Sequence, residues 1–349
     1  MSRRLRLTKF RNLSIEDPFF DSLKKGYREF PEWFSRKADE DLYVVDDGKE
    51  LSGMIYLKRE NGAVNDVVPP LPAKKWLKVG TLKIVAKGTK LGERVIKKVF
   101  DTALDQNAES IYVTVFEVHD SLITLFKRYG FQQSATKTTD NGTEIVLTRS
   151  LTDFTGDRLK DYPFVHIVGH SYWLLAIYPA YHTRLLPDSI LRNEAQEIVQ
   201  DVSHSNTIHK VYISGLPLQR MSPGDVVIFY RTTDRPGQAY FRSVVSSVCI
   251  VEEVKTKKEF PNVEAFLAYT KPRSVFSELE LRDIFTKRKR LSVAKMTYNA
   301  AFNRRTTRGT LIDDDIMSVQ PRWDLRSLTR NQLLKILDMG KINARLVIN

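Results

Sequence analysis

The residues whose types and spacing could do chemistry run from Leu82 to Phe100, LKIVAKGTKLGERVIKKVF. Leu82, Ile84 and Val85 give a β-rich run. Lys87, Gly88, Thr89, Lys90 and Gly92 give a loop of lysines and glycines. Leu91, Val95, Ile96, Val99 and Leu104 recur behind it at helical spacing. A strand that turns through glycines into a helix N-terminus leaves backbone N–H groups pointing outward. With the positive end of the helix dipole they make a cradle for a pyrophosphate. The loop lacks the G-x-x-x-x-G-K-[ST] of a nucleotide-binding P-loop, and its glycines do not have the G-x-G-x-x-G spacing of a dinucleotide site.

The flanking elements must position that loop. Upstream, residues 4–10 alternate as an edge strand, and Pro18–Trp33 reads as helical with breaks at Gly26 and Pro31. Leu42–Asp46 and Glu50–Arg59 read as strands joined by the turn Asp47-Gly48. Residues 61–75, with Pro69, Pro70 and Pro72, read as a loop, and Trp76–Ala86 as the central strand. Downstream, Ser110–Val118 is β-branched and aromatic, and reads as the next strand. His119–Arg128 reads as a helix with Asp120 as its N-cap, stopped by Gly130 in Tyr129-Gly130-Phe131. Glu144–Thr148 reads as a closing strand.

This order resembles the GNAT acetyltransferases over roughly residues 5–150. Lys87 stands at the first position of the family's [Q/R]-x-x-G-x-[G/A] loop and Gly92 at its last, while Lys90 replaces the middle glycine. The resemblance implies an α/β (α+β) fold whose splayed strands admit the pantetheine arm of acetyl-CoA, with the thioester near Ile84–Ala86. The cofactor-facing set it implies is Ile84, Val85, Lys87, Gly88, Thr89, Lys90, Leu91, Gly92 and Phe126. Acetyl transfer needs a neutral amine, backbone donors for the oxyanion, an acid for the departing thiolate and a base for the amine proton. The family's tyrosine acid falls at Phe126, which cannot donate a proton. Tyr129, one turn on, is the substitute acid, and Glu117, at the strand end, the candidate base. The asparagine that often opens the last helix is replaced by His119-Asp120.

The 349 residues suggest two domains, 1–150 and 163–349, with 151–162 as linker. Basic residues outnumber acidic by 26 to 21 over 1–150 and by 29 to 21 over 151–349. Arg282–Arg308 alone holds nine basic residues and one acid, Asp283. Lys287, Arg288, Lys289, Arg290, Arg304, Arg305 and Arg308 are therefore the polyanion candidates, nucleic acid being the commonest soluble partner. The single cysteine, Cys249, lies in an apolar strand pattern and suits a reducing, cytoplasmic setting. The basic start lacks the apolar core of a signal peptide, and no apolar run approaches a membrane span. The histidines are scattered, the one H-x-x-x-H spacing, His166 and His170, falls in a glycine-containing, strand-like segment that would not hold both on one helical face, and no G-x-S-x-G nucleophile motif occurs.

The second half reads as short strands with turns, a small β-barrel. His209–Ser214, Val226–Arg231 and Tyr240–Val254 are strands, Tyr181–Pro187 a turn, and Leu191–Val202 a helix. Ser277–Lys287 is a helix with a capping box at Ser277 and Glu280, and Leu328–Leu337 a last helix. SPGDVVIFYRT, followed by TKPRSVFS, resembles the PUA-like superfamily, in particular its ASCH and EVE members, over about 160–300. Those barrels bind RNA or read bases in a pocket. The resemblance implies a polar pocket built from His204, Asn206, Lys210, Tyr230 and Arg231, with Tyr240 or Phe241 stacking on a base.

Together these readings give an acetyl-CoA-dependent N-acetyltransferase whose amine is carried on RNA, such as an aminoacyl-tRNA, and presented by the second domain. The GNAT resemblance admits a toxin acting on tRNA. Phe126 and Lys90 favour a rival, a CoA-binding scaffold fused to a nucleic-acid-binding module. A second rival is a small-molecule or protein acetyltransferase with the barrel serving assembly.

Overall fold

The computed structural model describes residues 4–46, 48, 50–85, 90–189 and 207–349. The chain divides into two compact units, Met1–Tyr162 and Pro163–Asn349. The first is mixed α/β. Its strands are β1 (Arg4–Lys9), β2 (Asp41–Asp46), β3 (Leu51–Val64), β4 (Leu71–Ile84), β5 (Ser110–Phe116), β6 (Gln132–Thr139) and β7 (Gly142–Ser150). They form one sheet in the order β1-β2-β3-β4-β5-β7-β6. Every neighbouring pair is antiparallel except β4 and β5. A parallel pair needs a crossover. The helix α3 (Leu91–Asp105) supplies it and buries Val95, Ile96, Val99 and Phe100.

Two helices precede the sheet's centre, α1 (Asp21–Gly26) and α2 (Phe30–Arg36). Phe20, Phe30 and Phe34 from this region pack with Phe10 of the β1 end and Tyr56 of β3 in one aromatic cluster. The helix α4 (Asp120–Arg128) follows β5.

The pairing of β4 with β5 is short. It runs from Trp76 opposite Ser110 to Val79 opposite Val113 and stops. At the same point the β3–β4 register shifts: Tyr56 pairs with Thr81 and Leu57 with Val79, so Gly80 is one residue too many. An extra residue bends the strand and raises its twist. The bulge requires glycine for space, because a Cβ at 80 would lie 2.8 Å from the Tyr56 ring.

Several sequence expectations change here. Residues 61–75 are mostly strand, since the β3–β4 ladder continues to Val64 opposite Leu71. Pro72 is tolerated because β5 pairs with β4 only from Trp76 onward. The closing strand is a hairpin, β6 and β7, with the polar β6 at the sheet edge. The N-cap of α4 is His119 rather than Asp120, and its side chain makes no capping bond. Residues 151–162 pack into the first unit instead of spanning between units. Asp161, fully buried, accepts from Thr155 and Gly156, and the Tyr162 ring lies 5.6 Å from Phe100.

The second unit is mostly β. Its strands are β8 (Val165–His166), β9 (Tyr172–Ile177), β10 (His209–Ser214), β11 (Val226–Arg231), β12 (Val244–Thr256), β13 (Ser292–Thr307), β14 (Leu325–Leu328) and β15 (Val347–Ile348). Six of them form a sheet in the order β10-β13-β12-β11-β9-β14, while β8 pairs with β15. Side chains alternate between two cores, as strand geometry requires. Leu175, Phe229, Cys249 and Met296 face one. Leu174, Ile228 and Val248 face the other, covered by Leu333, Ile336 and Leu337 of helix Arg330–Met339. Among the described residues the ladder does not close into the expected barrel, because β10 and β14 remain edges. The sheet rolls far enough for the Tyr212 hydroxyl of β10 to donate to the Ala176 carbonyl of β9 at 2.7 Å. The expected turn at 181–187 is mostly helix, Pro179–Leu185, and β12 begins at Val244 after a short helix, Ala239–Arg242. The expected helix 191–202 lies outside the described residues.

Gly80→Val should destabilise the first unit by about 1–3 kcal/mol through overpacking against Tyr56. Urea unfolding of the full chain measures this, and an unchanged midpoint would remove the packing role of the bulge.

Candidate functional site

Beyond Val79 and Val113 the two central strands part. β4 stays bonded to β3 as far as Ile84 opposite Gly53, and β5 to β7 as far as Phe116 opposite Glu144. Their facing edges keep backbone donors and acceptors that no strand satisfies among the described residues. A cavity of about 320 Å³ opens on this gap. Val79, Gly80, Thr81 and Leu82 line it from β4, Val113, Thr114 and Val115 from β5, and His119 and Leu122 from the start of α4. The aromatic side is Tyr27, Phe30, Trp33 and Tyr56, and the charged side includes Lys58, Glu60, Lys78, Lys137 and Glu144.

The described residues fit an extended, amide-bearing thioester arm. Strand edges supply amide partners, as in β-strand addition, and Leu82, Val113, Val115 and Leu122 supply apolar walls. Lys90 is the N-cap of α3 and makes no side-chain capping bond, so no cap side chain occupies the first-turn N–H groups. Lys87, Gly88 and Thr89 lie outside the described residues. Ile84 is half-buried, Val85 is exposed, and Leu91 is buried against Gly53. Gly92 has a packing reason of its own, because a Cβ there would lie 2.8 Å from Leu125 on α4.

The acid and base expected from the sequence are elsewhere. Tyr129 is fully buried at the C-cap of α4, its ring 5.8 Å from Tyr162, and does not line the cavity. Phe126 is fully buried on the same helix, packed edge-on to Phe131 at 4.8 Å. A helix buries its apolar stripe, and both residues belong to that stripe. Glu117 is exposed past the end of β5, outside the cavity lining.

Other titratable groups line the cavity or bond to groups that do. The Tyr27 hydroxyl donates to Glu144 at 2.7 Å, and that of Tyr112 donates to Glu60. Burial first, then these carboxylate bonds, push both phenols well above their ordinary range. Glu60 also accepts from Lys58 at 2.9 Å. Burial pulls the Lys78 ammonium below the ordinary lysine value. Sequence spacing could not find these partners, since Tyr27 and Glu144 stand 117 residues apart.

In the second unit a cavity of about 400 Å³ lies at the open seam between β9 and β10. Tyr178, Tyr181, Tyr212, Phe276, Arg288 and Arg322 line it, and the Tyr181 and Phe276 rings are 5.0 Å apart. Of the residues expected in a pocket, His204 and Asn206 lie outside the described residues. Lys210 and Tyr230 are buried in the core, against Tyr298 and Trp323 respectively, and Arg231 is buried too. Tyr240 and Phe241 sit on the short helix 239–242 and do not line this cavity. The aromatic residues that do were missed because Tyr181 falls in a segment read as a turn.

The basic candidates split into two groups. Lys287, Arg288, Lys289 and Arg290 are exposed just before β13. Arg304 and Arg305 lie near its other end, and Arg308, just past that end, stacks its guanidinium on Trp323 at 4.7 Å. β13 is 16 residues long, so the run is not one patch. Cys249 is fully buried, and burial pushes its thiol up. Among the described residues no cluster of histidine, cysteine and acidic groups could hold a metal ion, and no helix is long and apolar enough to cross a membrane.

No family model matches the chain. No curated protein matches it. Among solved structures it is similar to ASCH from Zymomonas mobilis, with 14% identity over 48% of this chain and 94% of that one, at a TM-score of 0.34. It is also similar to a GNAT family acetyltransferase from Elizabethkingia anophelis with acetyl-CoA bound, with 11% identity over 42% of this chain and 97% of that one, at 0.30. The IAA acetyltransferase from Bacillus cereus gives 13% identity over 42% of this chain and 98% of that one, at 0.32.

His182, fully buried, shares a hydrogen bond with the Ser246 hydroxyl at 2.8 Å. Burial, with Arg231 and Arg305 nearby, pulls its pKa down to about 3. The unfolded chain takes up this proton near pH 6.5 and the folded one does not. Stability is therefore whole above pH 6.5 and falls by about 1.4 kcal/mol per pH unit from there toward pH 3. Unfolding midpoints from pH 7 to 4 should show this slope for wild type and a flatter one for His182→Gln. Parallel slopes would contradict the assignment.

Proposed function

We propose that the first unit transfers an acetyl group from acetyl-CoA to an amine. One observation carries this reading: β4 and β5 part at the Gly80 bulge and leave two unsatisfied strand edges facing a cavity. The free edge of β4 would hold the acyl carbonyl oxygen through backbone N–H groups as negative charge develops on it. The amine nitrogen attacks the carbonyl carbon, the C–S bond breaks, and the thiolate leaves. Glu144 lines the cavity and takes the amine proton, while Tyr27, kept protonated, holds its carboxylate in place. Neither Tyr129 nor Glu117 has a part in this scheme.

Calorimetry with acetyl-CoA tests the reading. Wild type should bind with micromolar affinity. Gly92→Glu, which places a carboxylate at the start of α3, and Leu122→Trp, which fills the gap between the strands, should each weaken binding at least tenfold. No binding in wild type overturns the proposal. Binding without turnover for any amine supports the scaffold rival instead.

The second unit has its own reading as an RNA-binding module. The paired rings of Tyr181 and Phe276 beside Arg288 and Arg322 favour it, because a base stacks between aromatic and guanidinium planes. An RNA-borne amine, such as that of an aminoacyl-tRNA, and a small free amine are the two alternative acceptors for the first unit. Single-stranded RNA should bind with an affinity that falls as salt rises. Tyr181→Ala should cost about 1–3 kcal/mol. Salt-independent binding, or none, would leave the unit without a nucleic-acid role.

A further inference from the structure

The lysines and glutamates that line the first unit's cavity are not matched in place. Lys58 of β3 and Lys78 of β4 stand directly opposite each other, an unfavourable arrangement for like charges. Glu60 answers Lys58 at 2.9 Å and accepts from Tyr112, but reaches Lys78 only at 3.9 Å, past hydrogen-bond range. Lys137 is bonded to Asp66 at 2.5 Å. The Lys78 ammonium therefore donates no hydrogen bond among the described residues, although its side chain is only 24% exposed. A half-buried ammonium in that position calls for an anion.

The other end of the cavity holds the opposite remainder. Glu144 is buried, and the side-chain hydrogen bond it accepts comes from Tyr27, a neutral donor. Lys137 stands opposite it in the β6–β7 ladder but sends its ammonium to Asp66. No cation pairs with Glu144 among the described residues. At the rim, Glu29 is held by Asn141 and Lys37 by Glu40. The two remainders flank β5: Lys78 of β4 is opposite Tyr112, and Glu144 of β7 is opposite Phe116, four residues on. The offset is about 13 Å along the strands and about 10 Å across them, before the side chains reach inward.

We infer that the acceptor is a small zwitterion, an amine that carries its own carboxylate several bonds away, with the ammonium end at Glu144 and the carboxylate at Lys78. A ligand of this kind sets an opposite charge beside each of the two groups and adds no net charge of its own. A simple amine leaves Lys78 with only Glu60 at 3.9 Å, and a diamine opposes it. The inference deepens the acetyl-transfer reading and rests on it for the word acceptor, since it places the amine beside the group that takes its proton.

The test uses the full chain, whose Trp33 lines the cavity and reports binding by fluorescence. The probes are 6-aminohexanoate, hexylamine, hexanoate and 1,5-diaminopentane. Wild type should bind 6-aminohexanoate at least tenfold more tightly than any other. Lys78→Met, which removes a like-charge contact with Lys58, should fold normally and lose the advantage over hexylamine. Lys78→Glu should invert the order in favour of the diamine. Equal affinities in wild type, an order unchanged in Lys78→Glu, or clear preference for an aminoacylated RNA fragment overturns the inference. Acetyl-CoA calorimetry on the same samples reads the other proposal separately. Zwitterion binding without acetyl-CoA binding keeps the pocket assignment and sinks the transferase, and the reverse pattern does the opposite.

Discussion

The first unit depends on a steric fact at Gly80. The Tyr56 ring lies where a side chain at 80 would be, and that ring is fixed from several sides. It packs edge-on to Phe10 at 5.4 Å and Trp33 at 5.7 Å, and its hydroxyl donates to Glu40. The aromatic cluster under α1 and α2 thus presses on β4 at one point. The strand answers with an extra residue and a bend. β5 is tied to β7 over its whole length and cannot follow. The parting of the strands, the cavity, and the position of α3 beyond the end of β4 all follow from that bend.

Three carboxylates in and beside the cavity share one device. Glu40, Glu60 and Glu144 each accept from a tyrosine, Tyr56, Tyr112 and Tyr27. A tyrosine hydroxyl satisfies a carboxylate's need for a donor without cancelling its charge, as a lysine would. Each phenol is driven up by burial and then by its carboxylate. These hydroxyls are therefore fixed donors at any physiological pH, and they suit positioning better than acid catalysis. Glu40 and Glu60 also have lysine partners, Lys37 and Lys58. Glu144 does not, which singles it out as the carboxylate with unspent charge.

The sequence made the elements legible more readily than the site. The helical spacing of Leu91, Val95, Ile96 and Val99 marks α3 because burial of one face is a local pattern. Ser277 and Glu280 give a capping box that forms with both its hydrogen bonds. Thr329 opens the last helix in the same way, with Gln332. The polar edge strand β6 and the strand character of residues 61–64 and 71–75 were hidden, since ladder partners decide them and no period shows them. Tyr129 illustrates the harder failure. Its place beside Gly130 is readable, but whether a helix-end ring faces core or cavity depends on what packs behind it, and there Tyr162 and Phe100 enclose the space. The charge pairs of the cavity join β3, β4, β6 and β7 and have no sequence signature at all.

Both units place their candidate site where a sheet stops pairing. In the first, β4 and β5 part after four paired residues. In the second, β10 and β14 remain edges and the cavity lies along the β9–β10 seam. A strand edge inside a folded unit carries backbone donors and acceptors that must be met by something. Tyr212 meets one of them across the seam, giving its hydroxyl to the Ala176 carbonyl. In the first unit the facing edges of β4 and β5 beyond Val79 and Val113 have no strand partner among the described residues and line the cavity. A partner that supplies amides, carbonyls or base edges therefore gains hydrogen bonds that the fold has already oriented, and the side chains around the gap need only choose among such partners. On this account the backbone sets where ligands bind, and scattered residues such as Lys78, Glu144, Tyr181 and Arg288 set which ones.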